Sequence, residues 1–102
     1  MKLAYRPLYL SDVTECADYL CTEASEKVAA DWYQALKKAL DHIQRVPEIG
    51  RIRQDLPVAG IRTLNLRKYP NYIVFYRLEK NSIELLRIRH GMMNLPELFS
   101  EG

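Results

Sequence analysis

Residues 72–78 read YIVFYRL, and Arg77 is the one charged side chain among them. A β-strand sends successive side chains to opposite faces, so a run this apolar describes a central strand covered on both sides. Turn-forming stretches bound it. KYPN (68–71) precedes it, with Pro70 and Asn71 in turn roles, and EKNS (79–82) follows. Beyond those turns, IRTLNL (61–66) and IELLRIRH (83–90) also read as strands. Turns this short join neighbours, so the three are expected as an antiparallel meander.

The first half of the chain supplies helices to cover it. Ser11 and Asp12 read as a helix cap, followed by an apolar stripe of Val13, Cys16, Ala17, Leu20 and Ala24. Ser25, with Glu26 in the first turn, marks a second start. From there Ala29, Trp32, Leu36, Ala39, Leu40, Ile43 and Val46 form a longer stripe. Lys27–Asp31 and Asp41–Arg45 are spaced to pair weakly along the polar side. Helices joined this tightly predict an αα-hairpin. Neither stripe is stable alone, so both need a partner surface. PEIG (47–50) stops the second helix, RIRQDLPVAG (51–60) reads as a loop, and KLAYR (2–6) as a short strand ending before Pro7. The expected fold is α+β: an N-terminal strand and a helix hairpin on an antiparallel sheet of three to four strands.

A length of 102 residues suits one domain, spanning 1–102. A chain of this size buries roughly 60–70% of its unfolded surface, enough for one core without staples. With 48% hydrophobic and 27% charged residues it has the make-up of a soluble globule. No apolar run approaches the ~20 residues of a membrane span. The stretch MKLAYRPLYLSD has too little apolar length for a signal peptide, and a cytoplasmic protein is expected. Cys16 and Cys21 lie five apart on one helix, roughly 140° around its axis. That separation suits neither a disulfide nor a shared metal.

Charge is uneven. Residues 1–50 carry a net −2 and residues 51–102 a net +4, the latter with seven Arg against two Lys. Arginine's planar fork suits carboxylates and phosphates, so an acidic or nucleic-acid partner on the C-terminal half is plausible. Strict alternation places Leu86, Ile88 and His90 on one face of the last strand and Ile83, Leu85, Arg87 and Arg89 on the other. On 61–66 and just beyond, Leu64 and Leu66 oppose Thr63, Asn65 and Arg67. If the helices cover the leucine–isoleucine face, Asn65, Arg67, Arg87 and Arg89 fringe an open face with an apolar centre, a candidate docking surface.

The order strand, helix hairpin, Pro47-x-x-Gly50, Gly60-Ile61-Arg62, YIVFYR and RIRHG resembles the RelE/ParE superfamily of toxins from toxin–antitoxin systems, over essentially the whole chain and most closely ParE. The resemblance implies a toxin neutralised by a cognate, ParD-like antitoxin, with no metal and no cofactor. ParE-like members bind DNA gyrase and trap it on cleaved DNA, so they are inhibitory ligands and not enzymes. RelE-like members are metal-independent endoribonucleases that cut messenger RNA on the ribosome, which needs cations for the phosphate and proton carriers. The nuclease alternative falls on Arg87, Arg89 and His90, histidine being the side chain that titrates near neutrality. Many nuclease members carry an arginine where this chain has Ile73, and some a tyrosine near the chain end, whereas no Tyr follows Tyr76 here. The expected reading is therefore a gyrase inhibitor. Its partner-binding candidates are Asn65, Arg67, Arg77, Arg87, Arg89, His90, Met92 and Met93.

Overall fold

The computed structural model describes residues 1–91 and Phe99. β1 (Lys2–Tyr5) leads into α1 (Pro7–Glu23) and α2 (Glu26–Arg45), then a 3-10 turn, Pro47–Ile49. β2 (Arg51–Ile52), β3 (Ile61–Asn65), β4 (Tyr72–Leu78) and β5 (Ser82–His90) follow. The five strands form one sheet in the order β1-β5-β4-β3-β2. β3, β4 and β5 are the expected antiparallel meander. The sheet is nevertheless mixed and not purely antiparallel, because β1 pairs parallel with β5. A parallel neighbour needs a long crossover, and here everything between β1 and β5 provides it. β2 is a two-residue strand inside the stretch read as a loop, paired with Arg62 and Thr63.

α2 starts as its sequence directs. Ser25 caps it, its hydroxyl accepting from the Val28 N–H at 3.1 Å, and Trp32, Leu36, Ala39 and Ile43 bury its stripe. α1 does not start at Ser11–Asp12. It begins four residues earlier at Pro7, with Arg6 as the extended N-cap residue. Proline is pre-set for the first helical position, where no N–H is needed. Asp12 is thus inside α1, and buried. Of the two spaced ion pairs along α2, Asp41–Arg45 forms at 3.3 Å. Asp31 turns instead to Lys68 at 2.7 Å and accepts from the Tyr69 hydroxyl at 2.7 Å, tying α2 to the turn before β4.

Both faces of β4 are covered, by different means. Tyr72, Val74 and Tyr76 join Leu66, Ile83, Leu85 and Ile88 against the helices. Ile73 and Phe75 form a second, smaller cluster on the other face with Leu56, Val58, Ile61, Leu86 and Phe99. The loop 53–60 closes over that face, and a bidentate Arg53–Asp55 pair (2.8 and 2.6 Å) braces it. Gly60, at φ +82°, makes the return into β3 in a region that disfavours any side chain.

A β-bulge corrects the strict alternation expected for β5. Tyr76 pairs with Leu85 but Phe75 pairs with Arg87, so Leu86 is the extra residue. Ile83, Leu85 and Ile88 consequently face the helices together, while Leu86 turns to the second cluster.

The PEIG turn is fastened from the sheet. The Tyr76 hydroxyl donates to the Pro47 carbonyl at 2.8 Å and accepts from the Gly50 N–H at 2.7 Å. Arg62 donates to the carbonyls of Glu48 and Gly50. A Cβ on Gly50 would lie 2.5 Å from the Tyr76 oxygen, which explains the glycine by space alone. Gly50→Ala is expected to lose about 2–4 kcal/mol in denaturant unfolding, through the clash and the displaced hydroxyl. Tyr76→Phe, which leaves the Gly50 N–H without an acceptor, is expected to lose about 1–3 kcal/mol.

The Asp31 link gives an acid dependence with a definite sign. Hydrogen bonds from Lys68, then from Tyr69, hold the Asp31 carboxyl below its ordinary pKa. A lowered folded-state pKa adds stability above the unfolded value, and that stability is lost as pH falls through the folded one. Urea unfolding of wild type and Asp31→Asn should therefore differ at neutral pH, and the two should converge as pH drops through the carboxylate range.

Candidate functional site

β1 ends at Tyr5, so it covers β5 only from Ser82 to Leu85. Beyond that point the edge of β5 would be bare, and α1 moves in. The Ile88 N–H donates to Asp12 Oδ2 at 3.2 Å, in place of a strand partner. Register puts Arg87 opposite Phe75 and Arg89 opposite Ile73, on the side of the sheet away from the helices. Their guanidinium groups turn back around the strand edge to the same carboxylate. Arg87 binds it in bidentate fashion, Nε to Oδ2 at 2.7 Å and Nη2 to Oδ1 at 3.0 Å. Arg89 Nη1 reaches Oδ1 at 3.0 Å and Glu15 Oε2 at 3.3 Å.

The side chain of Asp12 is 3% exposed, those of Arg87 and Arg89 14% and 17%, and Glu15 65%. Burial of charge is tolerated when ion pairing and hydrogen bonds are complete, and among the described residues Asp12 accepts four hydrogen bonds. Burial opposes the charge of Arg89, but Asp12 and then Glu15 more than offset it, so its pKa is raised.

Next to this cluster a cleft of about 350 Å³ is lined by Glu15, Cys16, Tyr19, Tyr72, Arg89 and His90. The His90 ring meets Tyr72 edge-on at 5.3 Å, and Tyr72 meets Trp32 at 5.5 Å. Burial, followed by the charge of Asp12, pushes the Cys16 thiol up to about 11. It stays protonated at neutral pH and is a poor nucleophile. Cys21 is exposed. Among the described residues no cluster of His, Cys, Asp or Glu could hold a metal.

The expected open, arginine-fringed face is not what the fold builds. Its apolar centre carries Leu56, Val58 and Phe99. Arg87 and Arg89 are drawn to α1, because a buried carboxylate competes better for a guanidinium than water does. Arg77 lies on β4, with Nε 3.0 Å from Glu79 and Nη2 3.1 Å from Glu84. Asn65 donates to the Pro70 carbonyl at 2.6 Å, a turn-bracing role. Arg67 is exposed and lies across the sheet, beside α2. The candidates thus fall into separate groups: Arg87, Arg89 and His90 near α1, Asn65 and Arg67 at β3, and Arg77 between. Met92 and Met93 lie outside the described residues. Sequence reading missed Asp12 and Glu15. Asp12 fitted a helix cap equally well, and nothing local in the sequence marks it as the partner of Arg87 and Arg89.

A helix hairpin on a five-stranded mixed sheet is a small α+β fold with known relatives. The fold matches a solved structure titled "Chromosomal ParDE TA system from P. aeruginosa", with a TM-score of 0.75 and 23% identity over 88% of this chain and 95% of that one. Toxin ParE3 of Caulobacter vibrioides is 32% identical over 76 residues, 74% of this chain and 72% of the relative. The family described as "ParE toxin of type II toxin-antitoxin system, parDE" matches residues 3–95. The chain belongs to the ParE toxin family of type II toxin–antitoxin systems.

Removing the central, buried acid leaves two half-buried cations to find other partners. Asp12→Asn is expected to cost about 3–5 kcal/mol in urea unfolding, and Glu15→Gln, at an exposed pair, under about 1 kcal/mol. Equal small losses for both would show that the Asp12 cluster does not organise the seam.

Proposed function

We propose that residues 1–102 form one toxin domain that acts in the cytoplasm by binding and inhibiting DNA gyrase, not by catalysis, and that a ParD-like antitoxin neutralises it. Family membership supplies the toxin role. The observation that carries the non-catalytic reading is the engagement of Arg87 and Arg89 by Asp12. A ribonuclease of this superfamily needs cations directed at a scissile phosphate and a proton carrier beside them. Here those cations are directed at an internal acid, and His90 packs its ring against Tyr72. Ile73, at the place where nucleases of the superfamily carry arginine, belongs to an apolar cluster. No helix among the described residues is long and apolar enough to cross a membrane, which agrees with a cytoplasmic target. For partner contacts we favour Asn65, Arg67, Arg89 and His90, which line two surface clefts. Arg77 and Arg87 are assigned to holding the fold.

The test pairs two assays on one preparation. With purified gyrase and plasmid, the protein is expected to abolish supercoiling or to accumulate linear DNA. In a translating extract, messenger RNA is expected to stay intact. Cut message with unaffected gyrase would replace this reading with the nuclease one.

A further inference from the structure

The face of the sheet away from the helices is closed by a loop and not by a regular element. Residues 53–60 carry Leu56, their one buried side chain, and half-buried Val58 onto Ile61 and Phe75, which are 0% exposed. Ile73, Leu86 and Phe99 complete the cluster. Little else holds the loop down. One backbone hydrogen bond ties its ends, from the Arg53 N–H to the Ile61 carbonyl at 2.9 Å. Among the described residues, no hydrogen bond and no ion pair reaches from residues 54–60 to β4 or β5. The bidentate Arg53–Asp55 pair lies within the loop, so it stiffens the loop without fastening it to the strands beneath. Pro57, next to Leu56, fixes one more backbone angle. At the return into β3, the nearest side-chain atom to the position of a Cβ on Gly60 is 3.8 Å away, on Arg77, so this end has space around it.

A segment with few buried apolar contacts and few backbone hydrogen bonds opens at a lower free energy than the strands it covers. Opening this loop requires only the Leu56 and Val58 contacts and the Arg53–Ile61 bond to be given up, and the internal bracing makes it move as a body. We propose that loop 53–60 is a lid: it opens in the folded protein, separately from global unfolding, and uncovers an apolar strip of Ile61, Phe75 and Leu86 on the face opposite the helices. The closed state dominates, because Ile61 and Phe75 are fully buried in it. Sequence alternation places an apolar centre on this face. The fold keeps that centre but covers it, and the loop controls access to it. The lid lies apart from the Asp12 cluster, and the inference holds whichever target the toxin has.

Thiol labelling reads the lid directly. Ile61→Cys in a Cys16→Ser, Cys21→Ser background leaves one thiol, and it lies under the loop. Labelling with an aromatic disulfide reagent is followed at rising urea, below the unfolding transition. The expected rate is well below that of the unfolded chain and nearly independent of urea, since lid opening exposes little surface. Leu56→Ala is expected to raise that rate at least about tenfold, by removing the buried anchor of the loop. Ile43→Val, which weakens the core on the helix side, is expected to leave it within about twofold. In the otherwise unmodified sequence, hydrogen exchange at the Arg53 amide gives a second readout, and it should respond to Leu56→Ala and Ile43→Val in the same way. A rate that carries the full urea dependence of global unfolding, or that both variants raise alike, overturns the lid. Labelling as fast as in the unfolded chain also overturns it, since the strip would then be uncovered at rest.

Discussion

A single carboxylate, on Asp12, sits where three parts of the molecule meet. The first strand has just ended, the first helix is beginning its second turn, and the last strand carries two arginines past the end of its parallel neighbour. Asp12 satisfies both guanidinium groups and the Ile88 N–H together. A buried ion cluster of this kind gains little net stability over an apolar substitute, because desolvation offsets the attraction. In this arrangement α1 lies against β5 so that one carboxylate reaches all three donors.

The bulge at Leu86 is the second constraint. Without it, strict alternation would put Leu85 and Ile88 on opposite faces and divide the helix-side core. With it, the strand gives Ile83, Leu85 and Ile88 to the helices and Leu86 to the small cluster with Phe75. The bulge and the Asp12 cluster are adjacent, at Leu86 and at Arg87–Arg89. The local irregularity therefore aims the two arginines from the far side of the sheet to the strand edge, where the helix meets them. The positive bias of the C-terminal half is in this way partly consumed inside the molecule. What remains at the surface is distributed between a cleft near His90 and the groove beside α2.

Much of this was legible in the residues. The limits of β4, the cap at Ser25 and the buried stripe of α2 follow from short-range rules and fell where the sequence puts them. So did the family. The features that escaped are long-range or single-residue. The parallel placement of β1 depends on where a crossover lands, which no local pattern encodes. The two-residue β2 is too short to show a period. A bulge shifts alternation without a mark of its own, since Leu85-Leu86 looks the same in either register. Asp12 was misread because a helix cap and a buried counter-ion call for the same residue type, and Pro7 was the better start signal. The open docking face failed for related reasons: its geometry rested on unbroken alternation, and the acids that engage Arg87 and Arg89 come from α1 and not from the neighbouring Glu79 and Glu84.

The central claim is that Asp12 and Arg87 act as one unit rather than as a cap and a surface cation. A double-mutant cycle on unfolding free energy, with Asp12→Asn, Arg87→Gln and the two combined, measures that unit directly. A coupling of about 2 kcal/mol or more is the expected result for a buried, bidentate pair. Additive losses within about 0.5 kcal/mol would contradict the account, and with it the reason for reading Arg87 as structural rather than catalytic.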